Sequence, residues 1–358
     1  MTLTIGTATA TPGEMTTGWL DVATLPTGIP ERLPVMIARG ERDGPTLWVT
    51  GAIHGNEITG LAAAQDVMTE ELPDRLSGTV VCLPIVNPAG VRRNKRRSYY
   101  NGTDPNRYFP YGVDDRSRPP RFQELINRQL FDLLTETADA LVSLHTAGIN
   151  ERAFTILERV RYGDDRDKET AEALAAETER LVAAFGLPPV REYDVDIQEA
   201  YGLHRSLECA AINAAGIPAF TPELGSHSVV EADNRQAAVT GVDNVLRAME
   251  MLPGDPEPNE AAPADPVDYP VKRIPGPYAP TTGLLRERIE PGDVLKAGDP
   301  IADIVTPHGE RIETMTADHD GYVLAQTNGM AIYENNTVGA IVARDEGELV
   351  VESGGEST

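Results

Sequence analysis

Lysine is nearly missing from this chain: Lys95, Lys168, Lys272 and Lys296 are the only four in 358 residues, so almost all of the positive charge is arginine. Acids outnumber bases 56 to 31, a formal net charge of −25. That field repels polyanions and excludes nucleic acid and anionic membrane surfaces as natural partners. Scarce lysine with excess acid resembles proteins from halophilic organisms with high internal salt, where strong screening tolerates the self-repulsion. On that reading the acidity says little about the substrate. Cysteine is also scarce: Cys82 in VVCLPIV and Cys209 in LECAAI sit in apolar surroundings, as small buried hydrophobes rather than disulfide halves. No run of about 18 apolar residues occurs, so no membrane-spanning helix is expected. The opening MTLTIGTATATPGEM lacks the basic-then-apolar layout of a secretory signal, and a cytoplasmic location is expected.

What is present is a chain 41 % hydrophobic and longer than one compact domain needs, enough for a large α/β core plus something smaller. PTLWVTGA (45–52) reads as a strand, followed by the loop HGNE and a helix carrying Ile58, Leu61, Ala62, Val67 and Met68. TVVCLPIV (79–86) has the near-continuous apolar pattern of a strand buried on both faces, ending at the turn signal Asn87-Pro88. Helical spacing over 122–134 leads into the strand ALVSL, which stops at His145. A further helix spans 169–185, a strand GIPAFT runs to Pro222-Glu223, and a last helix spans 233–251. Strands alternating with helices predict a mostly parallel sheet covered on both faces, with ligands gathering at the carboxyl ends of the strands. Residues 253–268 have the Pro-, Ala- and acid-rich composition of a linker. Beyond it, short strand-like pieces separated by Pro-Gly-Asp, Ala-Gly-Asp and Asn-Gly turns predict a small all-β domain. The expected organisation is therefore 1–252, 253–268 and 269–358.

His54, Glu57, His145 and Glu223 all fall just past strand ends. Two histidines and a glutamate, with one position left for water, form the ligand set of a catalytic zinc site. A His-x-x-Glu pair alone equally describes a histidine beside a helix start and a surface glutamate; convergence on one sheet edge favours the metal. Asn106 and Arg107 stand side by side after the basic stretch 92–97, and an arginine fork is the usual receptor for a carboxylate.

HGNE (54–57), NPAG (87–90), DPNR (104–107) with YFP after it, SLHTAG (143–148) and TPELG (221–225) together resemble the ordered motifs of the succinylglutamate desuccinylase and aspartoacylase family of zinc carboxypeptidase-like hydrolases. The resemblance spans about residues 40 to 345. It implies a zinc-carboxypeptidase-like three-layer fold, one zinc ion per chain on His54, Glu57 and His145, and a substrate carboxylate on Asn106 and Arg107. It further implies Glu223 as general base and an upstream arginine, best matched by Arg96 with Arg97 close behind, polarising the scissile carbonyl. The family pattern is usually Asp-Leu-Asn-Arg; Pro105 replaces the leucine here, fixing the backbone without removing either contact residue.

The segment from Gly283 resembles the barrel-sandwich domains of biotinyl and lipoyl carriers, but Lys296, in VLKAGD, lacks the setting of a modified lysine. In the family such a domain narrows the active-site entrance, and the resemblance points to Tyr333 for a hydroxyl. Arg205, upstream of Glu223, is a further candidate for substrate contact. The expected activity is hydrolysis of an amide bond in a small anionic N-acyl amino acid, with homo-oligomerisation left open. Two other readings stand beside it, a carboxypeptidase acting on peptides and a binding module that keeps the fold without the chemistry.

Overall fold

The computed structural model describes residues 2–110, 118–163 and 166–353. Met1 and residues 354–358, the end of the expected β domain, lie outside them. The apolar runs form the middle of a 13-stranded sheet. Ser77–Leu83, Arg42–Gly51, Ala140–Leu144 and Ala219–Glu223 lie side by side and parallel. All seven positions of Ser77–Leu83 except the first are buried, as are all five of Ala140–Leu144, which is why these strands read as continuous hydrophobic runs. On one flank Pro30–Arg39 and Glu14–Thr24 add an antiparallel hairpin.

On the other flank Phe154–Leu157 runs antiparallel to Ala219–Glu223, and Pro189–Arg191 and Val271–Arg273 then run parallel to Phe154–Leu157. The sheet continues beyond residues 253–268. Ala340–Arg344, Gly321–Gln326 and Val294–Leu295 continue it antiparallel to its far edge. A cluster of Phe154, Ile156, Val190, Val271, Tyr322, Leu324 and Val342 packs across this seam. From Val271 onward the described residues form strands and turns without helix, including a separate four-stranded sheet whose Leu285, Ile301 and Ile304 share a core with Val323 of the main sheet. The helices Ile58–Val67, Lys168–Phe185 and Ala232–Ala248 pack together against the main sheet, and Phe122–Thr137 lies against the hairpin strand Glu14–Thr24. Asp167 caps Lys168–Phe185 at its start, and Gly186, at φ +86°, closes it in the left-handed conformation that suits glycine.

The strands before and after residues 253–268 are also tied by charge. The Asp345 carboxylate lies 3.0 Å from Arg159 and 3.1 Å from Arg191, with Lys272 at 3.9 Å; the Arg159 side chain is 2 % exposed and that of Asp345 is fully buried. Removing one partner of such a pair leaves uncompensated buried charge. Asp345→Ala is expected to lower the stability of the folded chain by about 3–5 kcal/mol, read as a fall in the denaturant midpoint. An unchanged midpoint would show that the network contributes nothing net.

Candidate active site

Backbone geometry first explains why the motifs meet. Gly55 of HGNE and Gly90 of NPAG touch: a Cβ on Gly55 would fall 2.0 Å from the Gly90 carbonyl carbon, so only glycine fits. Asn87 caps its own turn by accepting from the Gly90 amide at 2.9 Å, and its amide group donates to the Arg96 carbonyl at 3.3 Å. Gly55 N also donates to that carbonyl. Arg96 is thereby fixed beside the HGNE loop. His145 is held by its own backbone, its N donating to Pro222 O and its O accepting from Leu224 N, which seats it beside Glu223.

The side chains form one buried array. Glu57 bridges the two imidazoles, with Oε1 2.8 Å from His54 Nδ1 and Oε2 2.9 Å from His145 Nδ1. One donor atom from each of these three residues lies within 4.8 Å of the others, so the cluster could hold a metal ion. Each ring turns its other nitrogen to a carboxylate: His54 Nε2 lies 2.9 Å from Asp104 Oδ1, and His145 Nε2 lies 3.1 Å from Glu208 Oε1. Such outer carboxylates fix the tautomer and orientation of metal-binding histidines. His54 Nδ1 is buried and, despite its closeness to Glu57, makes no hydrogen bond among the described residues. Two imidazoles and a carboxylate with an unspent nitrogen are the donor chemistry that fits zinc. Burial alone would raise the Glu57 pKa, but the two histidines hold it well below the carboxylate range.

Arg96 donates from Nη1 to Glu57 at 3.0 Å and from Nε to Asp104 at 3.1 Å. Arg97 is exposed and donates to the Gly102 carbonyl, so of the two arginines only Arg96 meets the cluster. Asp104 also accepts from the Asn106 amide, capping the turn Pro105–Arg107 that Pro105 opens. Asn106 is buried, its Nδ2 3.1 Å from Glu208 and its Oδ1 accepting from Leu207 N at 2.7 Å. Arg107 donates from Nη1 to the Asn106 carbonyl, and burial lowers its pKa. Glu223 is 7 % exposed, and its Oε2 has no partner among the described residues. Burial pushes its carboxyl up to about 7, with His145 opposing and Glu57 adding to the rise.

Of the residues singled out in the sequence, His54, Glu57, Arg96, Asn106, Arg107, His145 and Glu223 thus fall in one neighbourhood. Tyr333 does not join them: it is 67 % exposed and hydrogen-bonds to Asn336 through its backbone. Sequence reading missed Asp104, Glu208, Glu151 and Arg273. Asp104 stood inside a quoted motif, and Glu208 was visible as a lone acid in the apolar LECAAI. Glu151 accepts from the Ala147 and Gly148 amides, bracing the loop after His145. Arg273 comes from the far side of the linker, donates to Glu192 at 3.1 Å and 3.3 Å, and stacks on Tyr193 at 4.5 Å. Nothing in its local sequence marked it.

The sequence profile of the succinylglutamate desuccinylase/aspartoacylase catalytic domain matches residues 43–249. The N-alpha-acetyl-L-2,4-diaminobutyric acid deacetylase of Halomonas elongata is 25 % identical over 315 residues, covering 86 % of this chain and 85 % of its own. Among solved structures, a succinylglutamate desuccinylase/aspartoacylase from Rhodobacter sphaeroides aligns with a TM-score of 0.75 at 22 % identity, over 93 % of this chain and 96 % of that one. The product-bound ectoine utilization protein EutE (DoeB) of Ruegeria pomeroyi aligns at 0.73 and 21 % identity, over 92 % and 95 %. These two likenesses are to the fold.

Proposed function

The chain belongs to the succinylglutamate desuccinylase/aspartoacylase family, and on that premise we propose that it hydrolyses the amide bond of a small N-acyl amino acid, using one zinc ion held by His54, Glu57 and His145. The catalytic unit is read as zinc-carboxypeptidase-like over residues 1–252, with 253–268 as linker and 269–358 capping the site. The observation that carries the reading is the buried Glu57 between two imidazoles, each oriented by its own carboxylate, with Glu223 beside His145. The Halomonas deacetylase, by name a hydrolase of an N-acetyl amino acid, supports the amide and the free carboxylate.

When bound, zinc supplies the Lewis acidity that activates water and polarises a carbonyl. Glu223 takes the proton from the attacking water and passes it to the leaving amine, the two halves of general acid–base catalysis. A carboxyl raised by burial stays basic enough for the first half and acidic enough for the second. Arg96, held by Glu57 and Asp104, stabilises the charge that grows on the carbonyl oxygen. Asn106 and Arg107 grip the substrate carboxylate and fix the amide in place.

The first test is a panel of N-acetyl and N-succinyl amino acids assayed in high salt with zinc; release of amine from N-acyl substrates supports the reading, and cleavage of dipeptides alone would replace it with a peptidase. The anion receptor is tested by Arg107→Lys, which keeps the charge but loses the planar fork. Its kcat/KM is expected to fall about 10- to 100-fold, the worth of a charge-assisted hydrogen bond. The deficit should shrink on substrates whose α-carboxylate is a neutral amide. Equal deficits on both would move the receptor elsewhere.

A further inference from the structure

The turn between His145 and the strand Ile149–Glu151 carries three backbone N–H groups in succession, and each faces a carboxyl group. Thr146 N donates to Glu57 Oε2 at 3.2 Å, Ala147 N to Glu151 Oε2 at 3.0 Å, and Gly148 N to the same Glu151 oxygen at 2.8 Å. The first of these contacts completes the hold on Glu57. Arg96 Nη1 meets its Oε1 at 3.0 Å and the Thr146 amide meets its Oε2, so the carboxylate between the two imidazoles is oriented from both ends. Successive peptide planes are joined at a shared Cα with only two soft dihedrals, so the Thr146 amide keeps its direction only while the next two peptide units keep theirs.

What holds Glu151 comes from beyond residues 253–268. The strand Ile149–Glu151 runs antiparallel to Gly321–Gln326, with Glu151 opposite Ala325 and Ile149 opposite Gln326. Arg152 N extends the ladder to Leu324 O at 2.9 Å, and Asn150 Nδ2 donates to Gln326 Oε1 at 2.7 Å. Gln326 is itself tied down, its Nε2 donating to Ile289 O at 2.7 Å. The approach is close: a Cβ on Gly148 would fall 3.1 Å from Ala325 Cβ. Asn150, at φ +49°, also donates from its backbone N to Ser226 Oγ at 3.1 Å, which joins the turn to the loop after Glu223. Three residues make no stable strand by themselves, so the place of Glu151 depends on Gly321–Gln326.

We propose that Glu151 is a positioning residue for the hydrolysis: anchored on the strand Gly321–Gln326, its carboxyl group gathers the Ala147 and Gly148 amides and so keeps the Thr146 amide on Glu57. The inference rests on the reading of His54, Glu57 and His145 as a zinc site, and it gives the C-terminal strands a part in shaping that site beyond covering its entrance. Among the described residues Glu151 makes no hydrogen bond to His54, Glu57 or His145, so its effect on them passes through the turn. Burial and the neighbouring charge of Glu223 push the Glu151 carboxyl well above its ordinary value, while the two amides oppose the rise. The role needs an acceptor oxygen at this place rather than a negative charge.

The test compares Glu151→Ala with Glu151→Gln in the full chain by hydrogen exchange of the 146–148 amides, by zinc affinity in competition with a chelator, and by kcat and KM on an N-acetyl amino acid. In Glu151→Ala these amides should exchange faster, zinc should bind about 10- to 100-fold more weakly and kcat should fall by a similar factor with KM little changed, the worth of two hydrogen bonds. Glu151→Gln, which keeps an acceptor oxygen, should hold all three readouts near wild type. Gln326→Ala, at a partly exposed position where truncation costs little stability, should move the same readouts in the same direction by less, and it carries the test if Glu151→Ala does not fold. Unchanged exchange in Glu151→Ala overturns the proposal, and so does faster exchange with zinc affinity and kcat of the folded protein intact. A Glu151→Gln as impaired as Glu151→Ala, or a Gln326→Ala at wild-type values throughout, overturns it equally. A wild type that binds zinc but cleaves no N-acetyl amino acid counts against the hydrolase reading instead, and the exchange and zinc readouts still decide the role of Glu151.

Discussion

His145→Ala is expected to remove both stoichiometric zinc and all amide hydrolysis. His145 is 3 % exposed and stands at the centre of the array, facing Glu57 through Nδ1 and Glu208 through Nε2. Its loss deletes one of three donors, and a two-donor remnant binds a divalent metal far more weakly. It also leaves Glu208, buried and hydrogen-bonded to the ring, short of a partner, so some loss of stability accompanies the loss of metal. Metal content by elemental analysis on folded protein separates the two effects. Retained zinc together with retained hydrolysis would remove the metal assignment.

Glu223→Gln should behave in the opposite way. Zinc is expected to stay, because Glu223 lies outside the proposed ligand set, while turnover falls by about two to four orders of magnitude, the usual worth of a general base. The melting temperature should hold or rise, because the substitution removes a buried ionisable group whose Oε2 has no partner and leaves a neutral isostere. This pairing of lost turnover with preserved stability distinguishes a reacting group from a structural one. Loss of metal in Glu223→Gln would mean that the base and a ligand have been confused.

The legible parts of this protein were those whose signal is local. The buried strands at 77–83 and 140–144 announce themselves by continuous apolar runs, and Lys168–Phe185 by its spacing and by Gly186. HGNE and NPAG could be read because two backbones approach so closely at Gly55 and Gly90 that the glycines are obligatory. In the N-terminal hairpin, Glu14–Thr24 escaped because most of it is half-exposed, whereas Pro30–Arg39 went unread although Leu33, Val35 and Ile37 alternate inward along it. The continuation of the main sheet past the linker escaped for another reason: pairing between Pro189–Arg191 and Val271–Arg273 joins three-residue strands some eighty positions apart, and nothing in either segment names the other. Arg273 depends on that register, so it became visible only with the fold. Between Arg96 and Arg97 the spacing favoured Arg96 only narrowly; the fold brings the Arg96 side chain to Glu57 and Asp104 and turns that of Arg97 to the Gly102 carbonyl.

The central claim is that a single metal ion on His54, Glu57 and His145 drives amide hydrolysis. It is tested most directly by following deacetylation of an N-acetyl amino acid while zinc is titrated back into chelated, folded protein. The account predicts no measurable hydrolysis in the chelated chain and full recovery at one zinc per chain. Undiminished hydrolysis in the chelated protein would contradict it.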